Sequence, residues 1–190
     1  MIECELKPKY SGLSRKELLD KAYEIAHDYV QYSHQCSQST AAAFHELLGL
    51  DGNVVRALTS ASGGHVDQVV GTCGGLIGGV AVLDYFFGRD VMEMSMTEPV
   101  DLTSKARAME RSQLLYDRFL EKWGAVHCAM LMRQIYGRPF WFSDPDDMIK
   151  LGEAKDRVSP NSCWDVVGNS ARWVMEILLD NEVVANAPTD

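Results

Sequence analysis

A chain of 190 residues that is 46% hydrophobic and 24% charged has the composition of an ordinary globular protein and the length to bury a sizeable core, which excludes wholesale disorder and a fibrous repeat. Its 27 acidic against 18 basic residues leave a net charge of −9, the wrong sign for gripping a phosphate backbone, so nucleic acid is not an expected partner. The start, MIECELKPKYSGLSRKELL, carries acids and lysines where an export signal needs a basic start and an apolar run, and the expectation is a cytoplasmic protein.

Ser14 followed by Glu17 is a capping-box pattern, and Leu18, Ala22, Ile25, Ala26 and Tyr29 then recur at helical spacing, predicting a first helix from Arg15 to Tyr32. SHQC interrupts the pattern, SQSTAAAFHELLG resumes it as a second helix stopped at Gly49, and GNVVRALTSAS predicts a third that ends at Gly63-Gly64. HVDQVVG is ambiguous between a helical turn and a short strand. A fourth helix is expected from Cys73 to Phe87, followed by the polar connector RDVMEMSMTEP, whose methionines read as adaptable packing.

A long helix from Leu102 to Trp123 stops at Gly124, and CAMLMRQIYG forms a short one capped by Gly137. RPFWFSDPDD is a turn-rich crossing with aromatics that cover the core or an interface, PDDMIKLGEA predicts a helical turn, and the last helix runs from Cys163 to about Leu179. No run alternates with period two. The expected fold is an all-α bundle of about six to eight helices, a single domain over 1–190, with 1–13 and the frayed 181–190 as peripheral tails.

The longest apolar run, VVGTCGGLIGGVAVL, is bounded by Asp67 and Asp84 and is shorter than the roughly 20 residues a membrane span requires, so a buried helix rather than membrane insertion is expected. Its five glycines fit neither a P-loop, which needs a following Lys-Ser or Lys-Thr, nor a dinucleotide fingerprint, which needs glycines at n, n+2 and n+5. They form two four-residue series instead, Gly71, Gly75, Gly79 and Gly74, Gly78, which leave a bare strip along a helix where another backbone can come close.

Five cysteines, an odd number in a reducing compartment, argue against a disulfide framework, and without C-x-x-C the thioredoxin site, the zinc-ribbon knuckle and haem attachment are excluded. Cys36, Cys73, Cys128 and Cys163 each fall at or beside a predicted helix start, whereas Cys4 does not. Free N–H groups and a partial positive charge at a helix start favour a thiolate, so these four are potential anionic sulfurs. Small buried hydrophobes are the alternative, and spacing alone does not show that the four converge. His34, His65 and His127 lie near the cysteines in sequence and are candidate ligands or proton donors, although a surface or hydrogen-bonded histidine is the commoner case.

CSQS at Cys36, GTCGGLIGG at Cys73, a lone cysteine at Cys128 after a helix break and another at Cys163 before the last helix resemble the C-GCAxxG-C-C family of redox-active proteins over roughly Tyr23 to Leu178. Small residues, Thr72 and the glycines after Cys73, stand where the family's motif has glycine and alanine. RDVMEMSMTEPVDLTSKARAMERSQ is longer than the usual connector and is a candidate partner surface.

The resemblance implies a helical protein whose four cysteines act together in redox chemistry or metal binding. The family's likeness to the iron–sulfur region of split-Soret cytochromes points to a cluster. On that footing the expected function is electron transfer with a redox partner protein through an iron–sulfur cluster, [2Fe–2S] ahead of [4Fe–4S]. Its ligands would be Cys36, Cys73, Cys128 and Cys163, with Gly74 and Gly75 offering backbone N–H groups to cluster sulfurs. A cluster-free thiol oxidoreductase or redox sensor cycling a pair such as Cys73 and Cys128 is the alternative, and a structural four-cysteine zinc module the third. The long apolar helices are compatible with a homodimer.

Overall fold

The computed structural model describes residues 2–158 and 161–188. Eight α-helices follow one another: α1 Arg15–Ser33, α2 Cys36–Leu48, α3 Gly52–Ala57, α4 Gly74–Phe87, α5 Thr103–Trp123, α6 Cys128–Tyr136, α7 Pro145–Val158 and α8 Cys163–Asp180. Two isolated bridges, Cys4 with Val184 and Thr72 with His127, are the β-type pairing among the described residues, so the fold is all-α as expected. No helix among the described residues is long and apolar enough to cross a membrane.

The helix ends follow from local chemistry. At α1 the Ser14 side chain accepts from the Glu17 amide while the Glu17 carboxylate accepts from the Ser14 amide at 2.8 Å, which satisfies two N–H groups that the helix itself leaves open. Ser162 and Asp165 form the same reciprocal cap at α8. Gly49, Gly124 and Gly137 end α2, α5 and α6 at φ of 74°, 64° and 84°, a left-handed conformation that costs glycine little.

Glycines place α4 at the centre of the bundle. A Cβ on Gly74 would come 2.9 Å from Cys36 Cβ and 3.1 Å from the Ser37 amide, and one on Gly79 would come 2.8 Å from Ser170 Oγ. One glycine series thus faces α2 and the other faces α8, so both neighbours approach the α4 backbone. The Gly75 carbonyl accepts hydroxyls from both, Ser170 Oγ at 2.8 Å and Thr40 Oγ1 at 3.4 Å. α1 lies across α2 and α8, and α5 packs on α4 and α8.

The main apolar core runs through α1, α2, α4, α5 and α8, with Phe44, Leu83, Phe86 and Phe119 essentially sealed from solvent. A smaller cluster of Val69, Cys128, Met132, Phe140 and Leu151 holds α6 and α7 against it.

Four local expectations are corrected. PDDMIKLGEA belongs to a full helix, α7, because Asp144 caps its start through the Asp146 amide at 2.9 Å and Leu151 reaches the smaller core. The connector methionines do not pack: Met92, Met94 and Met96 stand 87%, 58% and 103% exposed. The C-terminal segment is not frayed as far as Pro188. Val183 and Val184 are buried, the Cys4 amide donates to the Val183 carbonyl at 3.0 Å, and the Ala185 amide donates to the Cys4 carbonyl at 2.8 Å.

HVDQVVG, finally, is neither a helical turn nor a strand. Gly63, Gly64, His65, Val66 and Asp67 all take positive φ, as does Val69, so the chain turns back in the left-handed sense. The Val69 amide closes that turn on the Gly63 carbonyl at 2.7 Å.

Candidate functional site

Each of the four cysteines stands at a helix start. Cys36, Cys128 and Cys163 open α2, α6 and α8, and Cys73 is the residue immediately before α4. All four line one cavity of about 180 Å³ at the seam between the two apolar clusters. That compares with the ~150 Å³ of protein cavities that admit a benzene-sized guest.

Backbone pairing brings Cys73 to Cys128. The left-handed turn returns the chain so that 69–73 runs beside 126–129: Cys73 donates its amide to the Val126 carbonyl at 2.8 Å, and Cys128 donates its own to Gly71 at 2.9 Å. Gly71 has to lack a side chain here, because a Cβ would fall 3.1 Å from the Gly64 carbonyl carbon. Cys36 is delivered by the bare flank of Gly74, and Ser62 steadies that end of α2 by accepting the Ser37 amide at 3.2 Å. Cys163 is held by the Ser162–Asp165 cap and by Tyr136, whose Oη accepts the Cys163 amide at 2.8 Å.

The resting thiols correct the expectation of ready-made thiolates. Burial, aided by the neighbouring Cys163, pushes Cys73 up to about 12 even though the Gly75 and Leu76 amides at the start of α4 pull the other way. Burial raises Cys128 as well, reinforced by Cys73, Cys163, Cys36 and Asp67. At Cys73 and Cys128 desolvation outweighs the helix-start field. A metal reverses this balance, since a coordinated thiol is deprotonated outright.

Other expected site residues divide. Gly74 lines the cavity, whereas Gly75 lies one step behind it, its position 3.7 Å from Cys73 Sγ at the Cβ a side chain would add. Exposed His34 lines it, while His65 and His127 are exposed and are not among its lining residues. Cys4 lies elsewhere, its Sγ facing the Val183 carbonyl at 3.6 Å. Phe142 of the turn-rich crossing also lines the cavity, and Trp141 beside it stays 46% exposed.

Two residues were not foreseen. Asp67 enters through the left-handed turn, which has no periodicity to read. Tyr136 had a signal, since it follows Cys128 and Met132 at successive four-residue steps on one face of α6. Among the described residues no three His, Cys, Asp or Glu side chains are arranged to hold a single metal ion; the sulfurs stand around the cavity wall.

A family model described as "Putative redox-active protein (C_GCAxxG_C_C)" matches residues 34–177, a span that contains all four cavity cysteines. Comparison with curated proteins and with solved structures gave no match. With its cysteines in the order of that motif and most of its length matched, the chain belongs to the C_GCAxxG_C_C family.

Proposed function

We propose that this chain is an iron–sulfur protein that passes single electrons to or from a redox partner protein, with a [2Fe–2S] cluster ahead of a [4Fe–4S] one. The observation that carries the reading is the convergence of Cys36, Cys73, Cys128 and Cys163, from four distant stretches of sequence, on one cavity. Four thiols match the ligand need of either cluster. A cluster spreads its four thiolates over two or four irons, so sulfurs spread around a wall suit it better than they suit one zinc ion, which gathers four at a single point.

The protein's own residues have definable tasks. The four cysteines would hold the cluster, and the helix starts behind them supply N–H groups and positive field against its charge. Gly74 keeps α4 close enough to α2 for Cys36 and Cys73 to share the site. Leu131, Met132, Leu151 and Val166 give the cavity an apolar wall. When bound, the cluster supplies reversible one-electron chemistry that no side chain here offers.

Burial weighs against the thiol-exchange alternative. Cys73 and Cys128 are only 7% and 8% exposed, so a substrate's sulfur does not reach them without opening the fold.

Anaerobic purification, with visible absorption and iron, sulfide and zinc counted per chain, tests the proposal. Coloured protein with matching iron and sulfide is expected, lost in Cys73→Ser and kept in Cys4→Ser. A colourless, metal-free protein that still cycles redox equivalents would overturn it in favour of thiol exchange, and zinc alone would favour the structural module. Full iron content in both variants would refute the ligand assignment.

A further inference from the structure

Tyr136 closes α6, two turns beyond Cys128, and its ring packs edge-on against Phe140 with centroids 5.8 Å apart. Its oxygen accepts the backbone amide of Cys163 at 2.8 Å. A phenol oxygen that accepts still has its own proton to place, and the residue it holds, Cys163, carries a sulfur on the cavity wall. One hydroxyl is therefore held at the root of a cavity-lining cysteine with its proton still to donate. Tyr23 offers an internal comparison: its hydroxyl also reaches α8, but it bonds the Asp165 carboxylate and no cysteine.

Resting on the iron–sulfur reading above, we infer that Tyr136 is a positioning residue that tunes the centre, its hydroxyl donating to Cys163 Sγ and raising the reduction potential. The reduced centre carries one more negative charge than the oxidised one, and a hydrogen bond to a ligand sulfur stabilises the more negative state more. The electron comes from the partner protein. No covalent bond forms or breaks at Tyr136, and its proton stays on oxygen. Cys163 thereby becomes electronically distinct from the other three sulfurs.

The test compares the iron-loaded wild type with Tyr136→Phe, Tyr23→Phe and a chain carrying 3-fluorotyrosine at position 136, reading iron per chain and midpoint potential. Tyr136→Phe keeps the ring and removes only the hydroxyl, so iron content should hold while the potential shifts negative. 3-Fluorotyrosine, a stronger donor, should shift it positive, which also keeps the inference testable if Tyr136→Phe fails to fold. Tyr23→Phe should leave the potential unchanged.

An iron-loaded wild type whose potential ignores both changes at position 136, or responds equally to Tyr23→Phe, would overturn the role of Tyr136 and leave the iron–sulfur reading standing. A wild type that takes up no iron would overturn both together.

Discussion

Gly78 and Ser37 stand closer than a side chain would permit. A Cβ on Gly78 would run into the Ser37 carbonyl oxygen and come 2.9 Å from Thr40 Cβ. The spacing of α2 from α4, and with it the meeting of Cys36 and Cys73, rests on that contact and the similar one at Gly74.

Gly78→Ala is therefore expected to destabilise the chain by about 1–3 kcal/mol, as overpacked cores are destabilised. Gly75→Ala is the contrast: its Cβ would meet Val167 at an ordinary 3.5 Å. That variant should be neutral or gain up to about 1 kcal/mol from helix propensity. Urea unfolding of the two variants measures the difference, and equal losses would show that the glycine strip does not set the helix spacing.

The left-handed turn before Cys73 supports a second prediction. Val66 has φ of 42° and is 61% exposed, so it bears the backbone cost without a buried side chain to offset it. A left-handed conformation costs a non-glycine residue about 1–2 kcal/mol. Val66→Gly should hold or raise the melting temperature. Val69→Gly should lower it, because Val69 has φ of 66° but is fully buried, and loss of its side chain forfeits about 1.5–3 kcal/mol of burial. A loss at both positions would mean that the turn is not strained.

Alkaline stability supplies a third. Burial raises the Cys4 thiol from its ordinary 9.0 to about 11. Between those values the unfolded chain loses this proton while the folded chain keeps it. The contribution is present in full below pH 9.0 and is lost as pH rises through about 11. Thermal melts of iron-free protein should fall across that window, and less steeply in Cys4→Ala. Parallel curves would show that the partial burial of Cys4 does not hold its proton in solution.

The helix ends were legible because their causes are local. Ser14 and Glu17 are separated by three residues, and Gly49, Gly124 and Gly137 act through their own φ. The two four-residue glycine series likewise announced a helix that neighbours approach. The left-handed turn at 63–69 was not legible, since a β-branched residue such as Val66 or Val69 adopts positive φ only rarely and nothing local announces it. Nor was the docking of Val183 and Val184, which depends on Cys4 from the other end of the chain.

Capping and periodicity act within a few residues, so the all-α class and the placing of four of the five cysteines at or beside helix starts follow from local sequence. That those starts meet is a property of the folded chain. Gly74 on α2, the pairing of 69–73 with 126–129, and Tyr136 on Cys163 are contacts between distant segments that no local spacing encodes. The same meeting buries Cys73 and Cys128, where desolvation then outweighs the helix-start field that favours a thiolate.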